Sequence, residues 1–237
     1  MTATTFPAAS AQAAAAGYTA RRRQITVLVV ALAFVMDLMD ATILTIALPT
    51  IQRHMHASLP AVNWMATTYP LAFAVLLITG GRLGDVLGYR RLFLAGVSMF
   101  GVASVLVGTA WSPDMLITAR IVQGAAAALM VPQVLSVVQL LYKAEERTAV
   151  AGMLGGLTML ATTAAPLVTA VLISADLFGL SWRPIFLINV PVCVAALPLA
   201  ARYLPAGGSA HRQRVDLAGT ALITAAVLLL VFPLIQG

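Results

Sequence analysis

Seven uninterrupted apolar runs, each long enough to cross a lipid bilayer as a helix, limit what this chain can fold into. They lie at Ile25 to Leu48, Ala61 to Gly80, Leu92 to Trp111, Met115 to Tyr142, Thr148 to Ile173, Pro184 to Leu204 and Leu217 to Gln236. About 20 residues at a helical rise of ~1.5 Å span a hydrocarbon core of ~30 Å, whereas barrel strands are about ten residues long and alternate in polarity. In lipid the backbone must satisfy its own polar groups, so continuous apolar runs read as helices. A soluble domain is excluded by composition. The chain is 61% hydrophobic and 9% charged over 237 residues, with a mean hydropathy of +0.96, more apolar surface than one core could hide. The expected fold class is an all-α membrane protein.

Residues 1–24 precede the first run. Met1 to Ala20 is so rich in Ala, Thr and Ser that it has little to bury, and this tail is expected to be disordered. It does not read as a cleaved leader, because the apolar run continues past Asp37 and Asp40 without a small-residue cleavage site. Residues 205–215 read as a linker between the sixth and seventh runs, and 216–237 as the seventh helix.

Charge orients the bundle. With the amino terminus in the cytoplasm, Arg21, Arg22, Arg23, Arg82, Arg90, Arg91, Lys143, Arg147, Arg202, Arg212 and Arg214 all fall on the inner side. Arg53 and Arg183 fall outside, and Arg120 lies within a span. This asymmetry is typical of cytoplasmic loops, and Trp64, Trp111 and Trp182 then sit near the outer interface. The net charge of +6 therefore reports topology. It does not argue for a nucleic-acid partner, since the basic residues are spread over separate loops.

Several chemistries can be set aside. The single cysteine, Cys193, forbids an internal disulfide and reads as a small buried residue. His54 and His56 lack a third ligand nearby, so a solvated turn is the better reading and no metal site is expected. A retinal-binding sensor needs a lysine in a span, but Lys143 lies in the segment KAEERT. There is no GxxxxGK[ST] nucleotide loop, no catalytic constellation and no implied cofactor. The chain does not read as an enzyme.

The ionisable residues inside spans carry the functional signal. Asp37, Asp40 and Arg120 each cost about 2.5 to 3.5 kcal/mol at the centre of a membrane helix, so all three should face the bundle interior. Asp37 and Asp40 share one helical face. Asp40 is roughly 22 Å along its helix from Ile25, about 8 Å short of the outer edge of the core, and Arg120 is about 9 Å below that edge. The two are level, and an ion pair between them is geometrically allowed. In ARIVQGAAAAL, Arg120, Gln123, Gly124 and Ala127 share a face whose small residues invite another backbone to approach. Pro132 follows in the same span and should loosen it. The fifth span carries Gly152, Gly155, Gly156 and Pro166, a pattern of flexing or tight crossing. Phe34, Met36 and Met39 could line an adaptable pocket, although helix packing is their simpler role.

The stretch GRLGDVLGYRR, Gly81 to Arg91, reads as a charged, glycine-rich loop between the second and third spans. It resembles the corresponding loop of the major facilitator superfamily. Three further segments are similar to motifs of that family's fourteen-helix drug:proton antiporter branch: LMDATILTIALP (Leu38 to Pro49), LITARIVQGAAAALMVP (Leu116 to Pro132) and WRPIFLINVP (Trp182 to Pro191). The fifth span departs from the branch's antiporter motif. It keeps Gly152 and Pro166 but has Ala161, Ala165, Thr169 and Ala170 at glycine positions, and Thr45 stands where the first-helix motif has asparagine.

The resemblance implies a six-helix amino-terminal transporter half over residues 25–204, built of two inverted three-helix repeats, with VDLAG (Val215 to Gly219) opening a linker helix. It implies proton-coupled efflux of drugs or other small amphipathic molecules by alternating access, in a cell membrane of bacterial type. The partners implied are protons, a small-molecule substrate, the lipid bilayer, and either a carboxy-terminal half or a second copy. Asp37, Asp40, Arg120 and Gln123 are the candidate proton-coupling residues. Gly81, Asp85, Gly88, Arg90 and Arg91 form the gating loop, with Asp85 as a latch, while Gly152 and Pro166 would let the fifth helix flex. Taking a carboxyl out of water favours its neutral form and a nearby guanidinium its charged form, so relative motion of the two could load and release a proton. Two alternatives stay open: a truncated, non-transporting membrane fragment, or a facilitator that is not an antiporter.

Overall fold

The computed structural model describes residues 18–205, with 219 and 229 besides. Apart from those two residues, the expected seventh span lies outside the described residues, as do most of the linker before it and the first seventeen residues. Among those described, six helical segments are long and apolar enough to cross a membrane. They are α1 (Ala20–Met55), α2 (Leu59–Leu87), α3 (Tyr89–Gly108), α4 (Pro113–Leu141), α5 (Ala144–Ser174), and a final span made of the short α6 (Pro184–Leu187) and α7 (Asn189–Tyr203).

Several boundaries differ from the sequence reading, each for a local reason. α1 begins at Ala20, inside the segment expected to be a disordered tail, because the Thr19 hydroxyl caps it by accepting from the Arg22 amide. The first turn is also tied down by its neighbours. The last carbonyls of a helix have no partner within it, and here the start of α1 supplies donors to two such ends. Arg23 donates to the Leu141 carbonyl at 3.0 Å, the Thr26 hydroxyl to that of Tyr203 at 3.1 Å and the Tyr18 hydroxyl to the same oxygen at 3.3 Å. Arg23 also pairs with Glu146 at 3.5 Å. At the other end α1 runs on to Met55, where exposed His56 closes it in the left-handed conformation.

Gly81 to Arg91 is not a loop. α2 continues through Leu87 and α3 starts at Tyr89, so only Gly88 interrupts the helices. Its φ of 94° is one that residues with a Cβ rarely adopt, and a sharp reversal needs nothing longer. Charged side chains are tolerated on these turns because they sit at a helix end rather than mid-span.

Trp182 also departs from expectation. Trp111 is exposed, but Trp182 is fully buried, edge-on to Phe186 at 6.0 Å in an apolar cluster that includes Ile43, Leu44, Met65, Leu116 and Ile185. Its segment folds inward because Arg183, stacked on the indole, donates to the Ala110 carbonyl at the end of α3.

The helices pair in a symmetric pattern. α4 packs on α2 and α3, α1 packs on α5 and α7, and α3 meets α7. Exchanging α1–α3 with α4–α7 in order maps α4–α2 onto α1–α5, α4–α3 onto α1–α7 and α3–α7 onto itself, as an inverted repeat requires. Lipid gives apolar faces no reason to leave it, so close approach through small residues holds such pairs together. The α2–α4 seam shows this: a Cβ on Gly80 would overlap the Ala128 carbonyl, one on Gly84 would overlap the Gln133 side chain, and one on Gly124 would overlap the Tyr69 carbonyl. Gln133 adds a hydrogen bond to the Gly80 carbonyl at 3.0 Å. By contrast, Gly152, Gly155 and Gly156 of α5 have nothing within 4 Å of their Cβ positions, so they make no tight crossing among the described residues.

The two sets of glycines should respond oppositely. Gly80→Val is expected to lower unfolding stability in detergent by about 1–3 kcal/mol through overpacking. Gly155→Ala is expected to raise it by about 0.4–1 kcal/mol, because it restricts the unfolded chain and clashes with nothing. Thermal unfolding of the two purified variants, followed by circular dichroism, checks both signs.

Candidate functional site

The apolar interior forms two clusters, one towards each end of the bundle. A polar layer lies between them, made of Asp37 and Asp40 of α1, Tyr69 of α2, Ser104 of α3, Arg120 and Gln123 of α4, and Asn189 of α7. All seven are buried. Helix periodicity accounts for their meeting: on each span these residues occupy the stripe that faces the other helices.

Asp40 is at the centre of the layer. Arg120 Nη1 donates to its Oδ2 in a fully buried ion pair. Gln123 Nε2 and Asn189 Nδ2 donate to its Oδ1 at 3.0 and 2.7 Å. Arg120 Nη1 also donates to Gln123 Oε1 at 2.8 Å, and Ser104 Oγ accepts from Gln123 at 3.0 Å and from Asn189 at 3.3 Å. One carboxylate is thereby held from two other helices. A charge in a low-dielectric interior needs this density of partners to persist.

Asp37 lies one turn away and is held differently. Its Oδ1 accepts from the Tyr69 hydroxyl. The face of the same tyrosine ring lies 4.2 Å from the Arg120 guanidinium, a cation–π contact that desolvation strengthens. Gly124, one turn along α4 from Arg120, makes room for the Tyr69 backbone and so sets this stacking distance.

The structure thus brings Asp37, Asp40, Arg120 and Gln123 into one network. The other candidates stand apart. Asp85 accepts from the Tyr89 hydroxyl at 2.9 Å across the Gly88 turn, beside Gly81, Arg90 and Arg91 at the basic end of the bundle. Gly152 and Pro166 lie on the outward-standing α5. Met36 packs in the core, its sulfur 3.6 Å from that of Cys193. Phe34 lines an apolar cleft of about 260 Å³ between α4 and α5, with Val131, Val134, Val138, Leu154 and Thr158. Tyr69, Ser104 and Asn189 are members that the sequence reading did not single out. Their signal was an uncharged polar group within an apolar span, weaker than a charge because a hydroxyl or amide costs far less to insert.

Separating the charges should be far more disruptive than removing both. Arg120→Leu alone is expected to destabilise the folded protein by about 3–5 kcal/mol, since Asp40 is left buried without its cation. Combining it with Asp40→Asn should recover part of that loss. A double-mutant cycle on unfolding in detergent measures the coupling, and purely additive effects would show that the pair does not act as a unit.

Comparison with known proteins agrees with this architecture. The chain is 42% identical over 203 residues to the probable actinorhodin transporter of Streptomyces coelicolor, which covers 86% of this chain and 35% of that protein. It is 36% identical over 214 residues to the tetracenomycin C resistance and export protein of Streptomyces glaucescens, covering 90% and 39%. The chain therefore spans less than half the length of the curated relatives it matches. Among solved structures, a bacterial homologue of the human drug peptide transporters PepT1 and PepT2 shares the fold with a TM-score of 0.68 at 15% identity, over 87% of this chain and 47% of that one. Residues 30–235 match the profile described as Major Facilitator Superfamily. The chain belongs to the Major Facilitator Superfamily and is a multi-pass membrane protein.

Proposed function

We propose that the protein carrying this chain exports small amphipathic molecules of the antibiotic type, driven by protons through alternating access. The observation that carries this reading is the buried network around Asp40 and Arg120, which includes a second carboxylate on the same helical face. Two acids and one guanidinium in an apolar interior leave an unmatched negative charge, and a proton is the smallest species that can neutralise it. Relatives that share over a third of their residues with this chain are named for the transport or export of antibiotics, which supports the substrate class.

In this reading Asp37, Asp40, Arg120 and Gln123 couple proton movement to the rocking of this bundle against a partner bundle. That partner is a carboxy-terminal half or a second copy. Among the described spans α2 and α5 are the least buried, and their exposed apolar faces suit such a partner. Asp85, at the turn between α2 and α3, is the latch that engages the partner in one access state. Gly152 and Pro166 allow α5 to bend as the bundles move. The linker and seventh helix at residues 205–237 extend the bundle, and the cationic end faces the cytoplasm of a bacterial cell.

Proteoliposomes test the coupling. Imposing a proton gradient should drive accumulation of a fluorescent amphipathic dye, and Asp40→Asn and Arg120→Ala should each reduce that uptake at least about tenfold. Proton flux unchanged in both variants would sink the reading. Orientation has its own test, helped by the burial of the native Cys193. A membrane-impermeant thiol reagent added to intact cells should label Trp111→Cys and spare Arg82→Cys, with the reverse pattern in inverted vesicles.

A further inference from the structure

We infer that Asp37, rather than Asp40, takes up the proton, and that Tyr69 is the positioning residue linking its charge to Arg120. This deepens the proton-coupled reading above and rests on it. The buried layer contains two carboxylates and one guanidinium, so with both acids charged it carries one negative charge in excess. One proton brings it to neutrality. Which acid receives that proton depends on what each would lose.

Asp40 is the worse recipient. It accepts from Arg120, Gln123 and Asn189, and neutralising it would break the one direct ion pair of the buried Arg120 and weaken two amide hydrogen bonds. Asp37 gives up much less. Among the described residues its hydrogen bond comes from the Tyr69 hydroxyl, a neutral donor, and neutralising it leaves no cation behind. The groups that bear on it are few. α1 brings Asp40, α2 Tyr69 and α4 Arg120, while Cys193 of α7 bears on Asp40 instead. Ser104 of α3 is neutral, and the charges of α5 lie in its first turn at Glu145, Glu146 and Arg147.

Tyr69 bridges the two charged groups. Its hydroxyl donates to Asp37 and its ring lies under Arg120, so the hydroxyl contact joins α1 to α2 and the stacking joins α2 to α4. When Asp37 gains a proton, the hydroxyl loses its charged acceptor and the α1–α2 contact weakens. The Asp40–Arg120 pair stays closed. Proton uptake in this arrangement loosens α2 without breaking the ion pair that holds α1 to α4.

Infrared difference spectroscopy of the lipid-reconstituted protein, titrated across pH, reads carboxyl protonation directly and needs neither substrate nor transport. A single buried-carboxyl C=O band should titrate. Asp37→Glu should move that band in frequency, Asp40→Glu should leave it in place, and Asp37→Asn should abolish it. Tyr69→Phe, which keeps the ring but removes the donor, should retain the band with an altered frequency and a midpoint shifted by about half a pH unit or more. If Asp37→Asn does not fold, the two Glu variants still decide. A band that moves with Asp40→Glu and not with Asp37→Glu, or no titrating band at all, overturns the inference. A band assigned to Asp37 in a protein that fails to accumulate dye under a proton gradient would instead overturn the export reading and leave the proton site standing.

Discussion

A guanidinium held in the middle of a membrane bundle is the constraint on which the rest of this structure depends. Arg120 cannot face lipid, and it cannot be buried without a counter-charge. Meeting that demand draws in Asp40 from α1, and Asp40's own lone pairs draw in Gln123 from α4 and Asn189 from α7. Ser104 of α3 ties the two amides together. Four spans converge on one point because two charges were placed in lipid at the same depth. The apolar clusters above and below this layer could be packed in several ways, whereas the polar layer accepts one register.

Around that anchor the two three-helix sets are bound unequally. α2 is seated deeply on α4, because Gly80, Gly84 and Gly124 remove the Cβ atoms that would keep the backbones apart. α5 has glycines as well, but they face open space, and an apolar cleft separates it from α4. The same residue type serves close packing in one helix and leaves an unfilled face in its symmetry mate. What differs is the neighbour: α4 offers α2 a stripe of small residues, while α1 presents the bulky Phe34 to the cleft beside α5. Tyr69 belongs to the tight seam, so its hydroxyl and ring are placed to within a narrow tolerance by contacts made several residues away.

The fold is largely legible in the sequence. Six of the seven apolar runs appear as membrane-length helices, and the seventh lies outside the described residues. The errors occurred at the ends of helices. The stretch from Gly81 to Arg91 looked like a loop because it is charged, but charge at a helix end is compatible with helix, and only Gly88 breaks it. The stretch from Arg21 to Arg23 looked like part of a tail because it precedes the apolar run. Its helical state depends on the carbonyls of Leu141 and Tyr203, more than a hundred residues away.

Sequence alone determined that this chain spans a membrane as helices and that Asp37, Asp40 and Arg120 lie inside it. Run length and insertion cost are local properties, and the helical rise converts residue number into depth. That conversion even places Asp40 and Arg120 at one level. Only the tertiary structure decided that the two carboxylates are unequal. Both are aspartates on one face of one helix, three positions apart, and nothing in their own segment separates them. The difference lies in what reaches them among the described residues: an arginine and two amides at Asp40, and a single tyrosine hydroxyl at Asp37. Which donor meets which acid depends on how α2, α4 and α7 are rotated against α1. That rotation is a property of the packed bundle and of no single span.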